Sequence, residues 1–196
     1  ARNQDRLPPL AIRGGALRAI EHRVDVASAQ VASCVLLAGL FADGCTTVSL
    51  PMPARDHTQR MLAAFGIPVW SGAPDPVEGG GLSYSVTGRA VPAATRVRVP
   101  GDFSAAAFFL AAAAASPGAV VTARDVNLNP TRTGLLAVLE RMGARVERAR
   151  VRDEGGEPVG DVTVTGPDRL RACAIEPGEV PALIDEIPAW AMAAAL

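Results

Sequence analysis

Five short polar clusters carry the side chains of this chain that could do chemistry. Ser28-Ala29-Gln30 and Pro100-Gly101-Asp102-Phe103-Ser104 each open a very apolar stretch, Val31 to Leu40 and Ala105 to Ala115. Arg55-Asp56-His57-Thr58 and Asn129-Pro130-Thr131-Arg132-Thr133 each put an arginine in a loop ahead of a second helix. Ile184-Asp185-Glu186-Ile187-Pro188 sets two acids before another apolar run. A helix start presents unpaired N–H groups and the positive end of the macrodipole, so it attracts anions. If these openings fall on one common face, that face would receive a phosphorylated small molecule. A guanidinium beside a helix start can grip a phosphate through two parallel hydrogen bonds. An aspartate facing a substrate hydroxyl could orient it or accept its proton.

Each cluster also has a plainer reading. Ser28, Ser104 and Asp102 could serve solely as N-caps. Arg55 could pair with Asp56 on the surface, and Asp185 with Glu186 could do no more than complement a helix dipole. His57, with no evident partner, reads as structural rather than as a general base. Arg132 reads as a pin between its loop and a neighbouring backbone. The sequence contains no Gly-rich nucleotide loop, no Gly-x-Ser-x-Gly elbow, no metal-ligand cluster and no locally supported Cys–His pair. The residues alone point to a binder of anionic small molecules and leave the reaction open.

The elements that must hold these clusters repeat. After each apolar helix comes a glycine (Gly44, Gly118), then a β-rich run (Thr46–Leu50, Ala119–Ala123), then the loop arginine. A second helix follows and ends on glycine, with 11 residues from Arg55 to Gly66 and 11 from Arg132 to Gly143. Self-similarity at this scale marks an internal repeat. Alternation and turn residues predict strands at Arg18–Val24, Gly44–Leu50, Ile67–Trp70, Leu82–Thr87 and Thr95–Val99. They predict more at Ala119–Val126, Arg145–Ala149, Asp161–Thr165 and Cys173–Ile175. Helices are expected at Ala27–Leu40, Thr58–Phe65, Ser104–Ala115 and Gly134–Met142. A surface loop is expected at Ser71–Gly81, and a charged hairpin at Arg152–Gly160. Each unit reads as β-α-β-α-β-β, and a third begins at Ile184. The first and third helices are apolar on every side and should be buried. The boundary between halves falls near Pro100, giving residues 1–99 and 100–196.

Composition narrows the classes. With 49% apolar but only 4% aromatic residues, Ala, Val and Leu must fill the core. A net charge of -1 argues against a nucleic-acid surface. Every basic residue other than histidine is Arg, and base composition of the genome is the simplest account. Cys34, Cys45 and Cys173 have no metal spacing and read as buried free thiols in a reducing compartment. His22 and His57 are too few for a metal site. Nothing reads as a signal peptide, and Ala105–Ala115 is too short to span a bilayer. A soluble, cytoplasmic protein is expected.

These segments together resemble the 5-enolpyruvylshikimate-3-phosphate synthase family. The resemblance rests on Ala27-Ser28-Ala29-Gln30-Val31-x-Ser33 with Leu36-Leu37-Ala38-Gly39-Leu40, and on Arg55-Asp56-His57-Thr58 with Met61-Leu62 and Phe65-Gly66. It continues through Pro100-Gly101-Asp102-x-Ser104, Asn129-Pro130-Thr131-Arg132-Thr133-Gly134, Met142-Gly143-Ala144 and Ile184-Asp185-Glu186-Ile187-Pro188. Ala32 departs from the family's usual Lys. The resemblance implies an α/β fold: a two-domain inside-out α/β barrel of β-α-β-α-β-β units closing on its substrates. It implies transfer of the enolpyruvyl group of phosphoenolpyruvate to the 5-hydroxyl of shikimate-3-phosphate, releasing phosphate, with no metal and no organic cofactor.

By the same resemblance Ser28, Ala29 and Gln30 bind shikimate-3-phosphate, with Ser28 on its phosphate, and Arg55 contacts the same substrate. Asp185 holds the 5-hydroxyl and accepts its proton, and Pro100-Gly101 is a crossing between domains. Family members act in aromatic amino acid biosynthesis and are monomers. They are about twice this length and carry further cations, including a Lys-Glu-x-x-Arg segment beyond the aspartate. The chain is therefore expected to be an internal fragment, inactive alone. A related transferase acting on UDP-N-acetylglucosamine, or a non-catalytic module binding an anionic metabolite, is the alternative.

Overall fold

A computed structural model describes residues 7–72 and 81–196. The first half contains β1 (Leu17–Arg18), β2 (Glu21–Arg23), α1 (Ala29–Gly39), β3 (Ala42–Asp43), β4 (Cys45–Leu50), α2 (His57–Ala64), β5 (Val69–Gly72) and β6 (Leu82–Thr87). Its main sheet has the order β2-β4-β6-β5, with β2 and β4 parallel and the other pairs antiparallel. A small parallel pair, β1 with β3, lies beside it. The second half contains α3 (Phe103–Ala115), β7 (Val120–Asn127), α4 (Gly134–Arg141), β8 (Arg145–Glu154) and β9 (Glu157–Thr165). Two 3₁₀ stretches, Pro177–Ala182 and Ile184–Glu186, then lead into α5 (Ile187–Ala195).

The two halves share one topology. The second sheet runs β7-β9-β8, all antiparallel, and a parallel bridge from Gly101 to Val126 stands where β2 stands in the first. Each unit is β-α-β-α-β-β, as the repeat requires. The glycines that close the second helices match in conformation as well: Gly66 has φ +77° and Gly143 φ +103°. A left-handed residue just past a helix end costs an L side chain energy that glycine does not incur.

Buried apolar residues fall into two clusters. One gathers Ala32, Leu36, Val48, Leu62, Ile67 and Val86 under α1 and β4. The other gathers Phe103, Leu110, Leu135, Leu139, Val162, Val164 and Leu183 among α3, α4, β9 and the chain leading into α5. The Gly155-Gly156 turn joins β8 to β9, and the hairpin is longer than its sequence suggested, with strands running through to Glu154 and from Glu157.

Several expectations are corrected. Neither Thr95–Val99 nor Cys173–Ile175 is a strand. Val97 and Val99 are exposed, and alternation without a neighbouring strand leaves the backbone no ladder to join. Cys173 packs against the second core as irregular chain. The apolar helices are not buried on every side. α1 buries Ala32, Leu36 and Gly39, one face at helical spacing, and α3 leaves Phe109 69% exposed. The thiols follow: Cys34, on the far side of α1, and Cys45 are exposed, while Cys173 is half-buried. Most of the expected Ser71–Gly81 loop, residues 73–80, lies outside the described residues. Among the described residues no helix is long and apolar enough to cross a membrane.

Candidate functional site

Ser28 caps α1: its Oγ accepts from the Val31 N–H at 3.3 Å and donates to Gln30 Oε1 at 3.3 Å. Ser28 and Ala29 are half-buried and Gln30 is exposed, so all three stand at the accessible opening of the helix. Ser33 and Thr58 share a hydrogen bond of 2.7 Å, which ties the first turns of α1 to the start of α2. The Ser28 and Arg55 loops are thereby anchored to one another one turn further along.

Arg55 does not pair with its neighbour Asp56. Its Nη2 lies 2.7 Å from Oδ2 of Asp185, 130 residues further along the chain. Asp56 faces the other way and accepts from Arg60 Nε at 2.8 Å and from Asn129 Nδ2 at 2.7 Å. Burial pushes the Asp56 carboxyl up, but these hydrogen bonds and the Arg60 charge outweigh it and hold it below its ordinary value. His57 has a partner after all, with Nδ1 2.6 Å from Glu157 Oε1. Arg60 completes the junction by donating to the Gly156 carbonyl at 2.8 Å. One face of α2 and its approach are thus bound to the second half by polar contacts.

Asn129 is the hub of that junction and is 0% exposed. Its Oδ1 accepts from the Thr131 N–H at 2.9 Å and the Thr131 hydroxyl at 2.7 Å. Its Nδ2 donates to Asp56 and, at 3.1 Å, to Glu157 Oε2. Asn127 also donates to that oxygen, at 3.0 Å. Every hydrogen-bonding position of the buried amide is therefore directed to a partner.

The second pair of openings behaves differently from the first. Asp102, not Ser104, caps α3, accepting from the Ser104 N–H at 3.0 Å. The Ser104 hydroxyl donates to Glu186 Oε1 at 2.5 Å and accepts from Arg132 Nη2 at 2.5 Å. Arg132 therefore reaches a side chain rather than a backbone. Glu186 is 2% exposed, and burial raises its carboxyl pKa against the opposing pull of the Ser104 hydrogen bond and the Arg132 charge. The side chain of Asp185, its neighbour, is 43% exposed. Glu186, the residue that opens α5, makes no side-chain cap bond to it.

Of the residues expected to act, Arg55 and Asp185 are brought into contact, and Ser28, Ala29 and Gln30 line the α1 opening. Glu186 was legible only as a dipole partner, and nothing in local spacing marked Glu157. An Asn-Pro-Thr turn signal was present at Asn129, but it gave no sign of bonds to the first half. The chemistry available is that of an anion cradle with an accessible carboxylate, Asp185, beside its guanidinium. An arriving anion can take the Arg55 guanidinium that Asp185 holds, which leaves the carboxylate able to receive a hydroxyl proton.

A family model described as EPSP synthase (3-phosphoshikimate 1-carboxyvinyltransferase) matches residues 1–196. A curated relative from Anaeromyxobacter sp. (strain K), called 3-phosphoshikimate 1-carboxyvinyltransferase, is 54% identical over 96% of this chain and 41% of its own length. One of the same name from Geobacillus thermodenitrificans is 47% identical over 98% of this chain and 43% of its own. The solved structure of an EPSP synthase from Acinetobacter baumannii superposes with a TM-score of 0.80 at 43% identity, covering 96% of this chain and 41% of that one. The chain spans about two fifths of the length of the relatives it matches.

Proposed function

The chain belongs to the EPSP synthase family, and from that premise we propose that it supplies the shikimate-3-phosphate side of an enolpyruvyl transferase site. In this reading Ser28, Ala29 and Gln30 bind shikimate-3-phosphate, and the Ser28 hydroxyl together with the free N–H groups of α1 takes the phosphate. Arg55 contacts the same substrate, and Asp185 holds its 5-hydroxyl. Transfer joins that oxygen to the enolpyruvyl carbon of phosphoenolpyruvate and releases phosphate, so the hydroxyl proton needs an acceptor, and Asp185 takes it. No metal or organic cofactor enters this scheme. Residues 1–99 and 100–196 belong to two domains meeting at the Pro100-Gly101 crossing, a reading supported by the two apolar clusters. A monomer in the cytoplasm completes the proposal.

The observation that carries the reading is the 2.7 Å pair between Arg55 and Asp185. It joins the anion-attracting end of the first half to the accessible carboxylate of the second. Calorimetric titration of the chain with shikimate-3-phosphate, beside shikimate, tests it. The phosphorylated compound should bind, shikimate should bind more weakly, and Arg55→Ala should weaken the phosphorylated compound by about tenfold or more, the scale of one charge-assisted pair. Equal affinity for both compounds, or none for either, would refute the assignment.

A further inference from the structure

Arg132 and Arg55 occupy matching places in the repeat, and both reach the same atom. Arg132 Nη2 lies 3.8 Å from Asp185 Oδ2, the oxygen that Arg55 Nη2 meets at 2.7 Å. The two arginines are held differently. Arg55 reaches across from the first half, whereas Arg132 is seated within its own half. Its Nη2 donates to Ser104 Oγ at 2.5 Å, and the Ser104 hydroxyl donates in turn to the buried Glu186. The same nitrogen lies 3.8 Å from Asp102 Oδ1 and 4.0 Å from Glu186 Oε1. We propose that Arg132 is a positioning residue for Asp185, seated by Ser104 and the buried Glu186 so that the carboxylate keeps a cation beside it when Arg55 turns to substrate.

The physical grounds are direction and burial. Asp185 and Glu186 are consecutive in a single 3₁₀ turn, so fixing Glu186 inward fixes the direction in which Asp185 leaves the chain. The hydrogen-bond chain runs one way: guanidinium to hydroxyl, hydroxyl to carboxylate. Ser104 alone can both accept from Arg132 and donate to Glu186, and Ser104→Ala removes both links with one atom. Arg132 is more buried than Arg55, with 18% against 21% side-chain exposure, but its anchoring sets it apart more than its depth. Arg132 Nε is buried without a hydrogen-bond partner, so the seating rests on Nη2, and a group held from behind through such a buried link stays put when its neighbour moves.

This inference rests on the assignment of Asp185 to the substrate 5-hydroxyl, and the test separates the two. Titration with shikimate-3-phosphate is run on a double-mutant cycle of Ser104→Ala and Asp185→Asn. Asp185→Asn should weaken binding about tenfold in the native background and less than about threefold in Ser104→Ala, and Ser104→Thr should restore the larger effect. Equal losses in both backgrounds overturn the proposal. Rotation of the Arg132 guanidinium, read by ¹⁵N NMR of the chain without ligand, should be hindered in the native protein and in Ser104→Thr, and fast in Ser104→Ala. Unchanged rotation in Ser104→Ala also overturns it. If the native chain binds no shikimate-3-phosphate, the functional reading fails while the NMR result still decides the seating of Arg132. Where Ser104→Ala does not fold, Arg132→Gln takes its place in the binding cycle and is judged by the same thresholds.

Discussion

Replacing Asn129 by alanine should be among the costliest single changes in this chain, and the cost can be worked from its bonds. The amide makes four hydrogen bonds: two received from Thr131 and two given to carboxylates of Asp56 and Glu157. Neutral bonds of this kind contribute about 1 kcal/mol each, and those to charged groups about 1.5–3. The simple sum overstates the loss, because Asp56 keeps Arg60 and Glu157 keeps Asn127 and His57. The Thr131 N–H has no such reserve and must find another acceptor. A net loss of about 3 kcal/mol follows, and for a chain of this size that lowers the thermal midpoint by roughly 6–12 °C.

Circular dichroism melts of the native and Asn129→Ala chains at pH 7 measure this. A second variant sharpens the reasoning. Asn129→Asp retains an acceptor for Thr131 but replaces the donor with a third carboxylate facing Asp56 and Glu157. Like charges at hydrogen-bond distance in a buried site repel strongly. Asn129→Asp should therefore melt below Asn129→Ala at pH 7. A midpoint for Asn129→Ala within about 3 °C of the native one, or an Asp variant more stable than the Ala variant, would refute the view that this amide holds the halves together.

Glu186→Gln tests the buried carboxyl. Because burial raises its folded-state pKa, its favourable share is fully present below the unfolded value and is lost as pH rises through the folded one. The stability of Glu186→Gln relative to the native chain should thus improve from about pH 4 upward, as denaturant unfolding at several pH values would show. Gly39 admits no side chain, since a Cβ there would lie 2.8 Å from Thr46 Cβ and 3.0 Å from Val86 Cγ2. Gly39→Ala should melt at least about 2 °C lower, overpacking outweighing the roughly 1 kcal/mol gained in helix propensity. If Arg55 serves only the shikimate-3-phosphate side, as proposed, the 196-residue chain by itself should give no phosphate release from phosphoenolpyruvate and shikimate-3-phosphate above a no-enzyme control.

Legibility in the sequence follows the range of the interaction. The Leu82–Thr87 strand was read with its observed bounds, and α3 and α4 to within a residue, because local period and glycine punctuation determine them. The repeat was legible too, since Gly66 and Gly143 close equivalent helices at equal distance from their arginines. Thr95–Val99 failed because alternation predicts a strand without knowing whether a neighbour exists to pair with it. The exposure of Cys34 was missed for a related reason: an all-apolar helix gives no sign of which face is covered. Contacts across the halves left no local trace. His57 finds Glu157 across 100 residues and Asn129 finds Asp56 across 73, and no periodicity encodes either pairing.

The repeat explains how two arginines come to share one carboxylate, and also why they do different work. Each lies 11 residues before a helix-closing glycine, so each unit delivers its guanidinium from the same loop. Asp185 belongs to neither of these units and starts the next, which places it where both loops can reach. What distinguishes the arginines is the residue behind them. Ser104 and the buried Glu186 engage Arg132, so releasing it from Asp185 would leave its hydrogen-bond chain intact and its position unchanged. Arg55 has its close ion pair with a carboxylate of the other half that is 43% exposed, so an arriving anion can compete for it. Duplication can supply two cations in equivalent places, but an inequality of anchoring is needed before one can stay with the carboxylate while the other turns to an arriving anion. That inequality resides in Ser104 and Glu186, and neither residue would be suspected from the repeat alone.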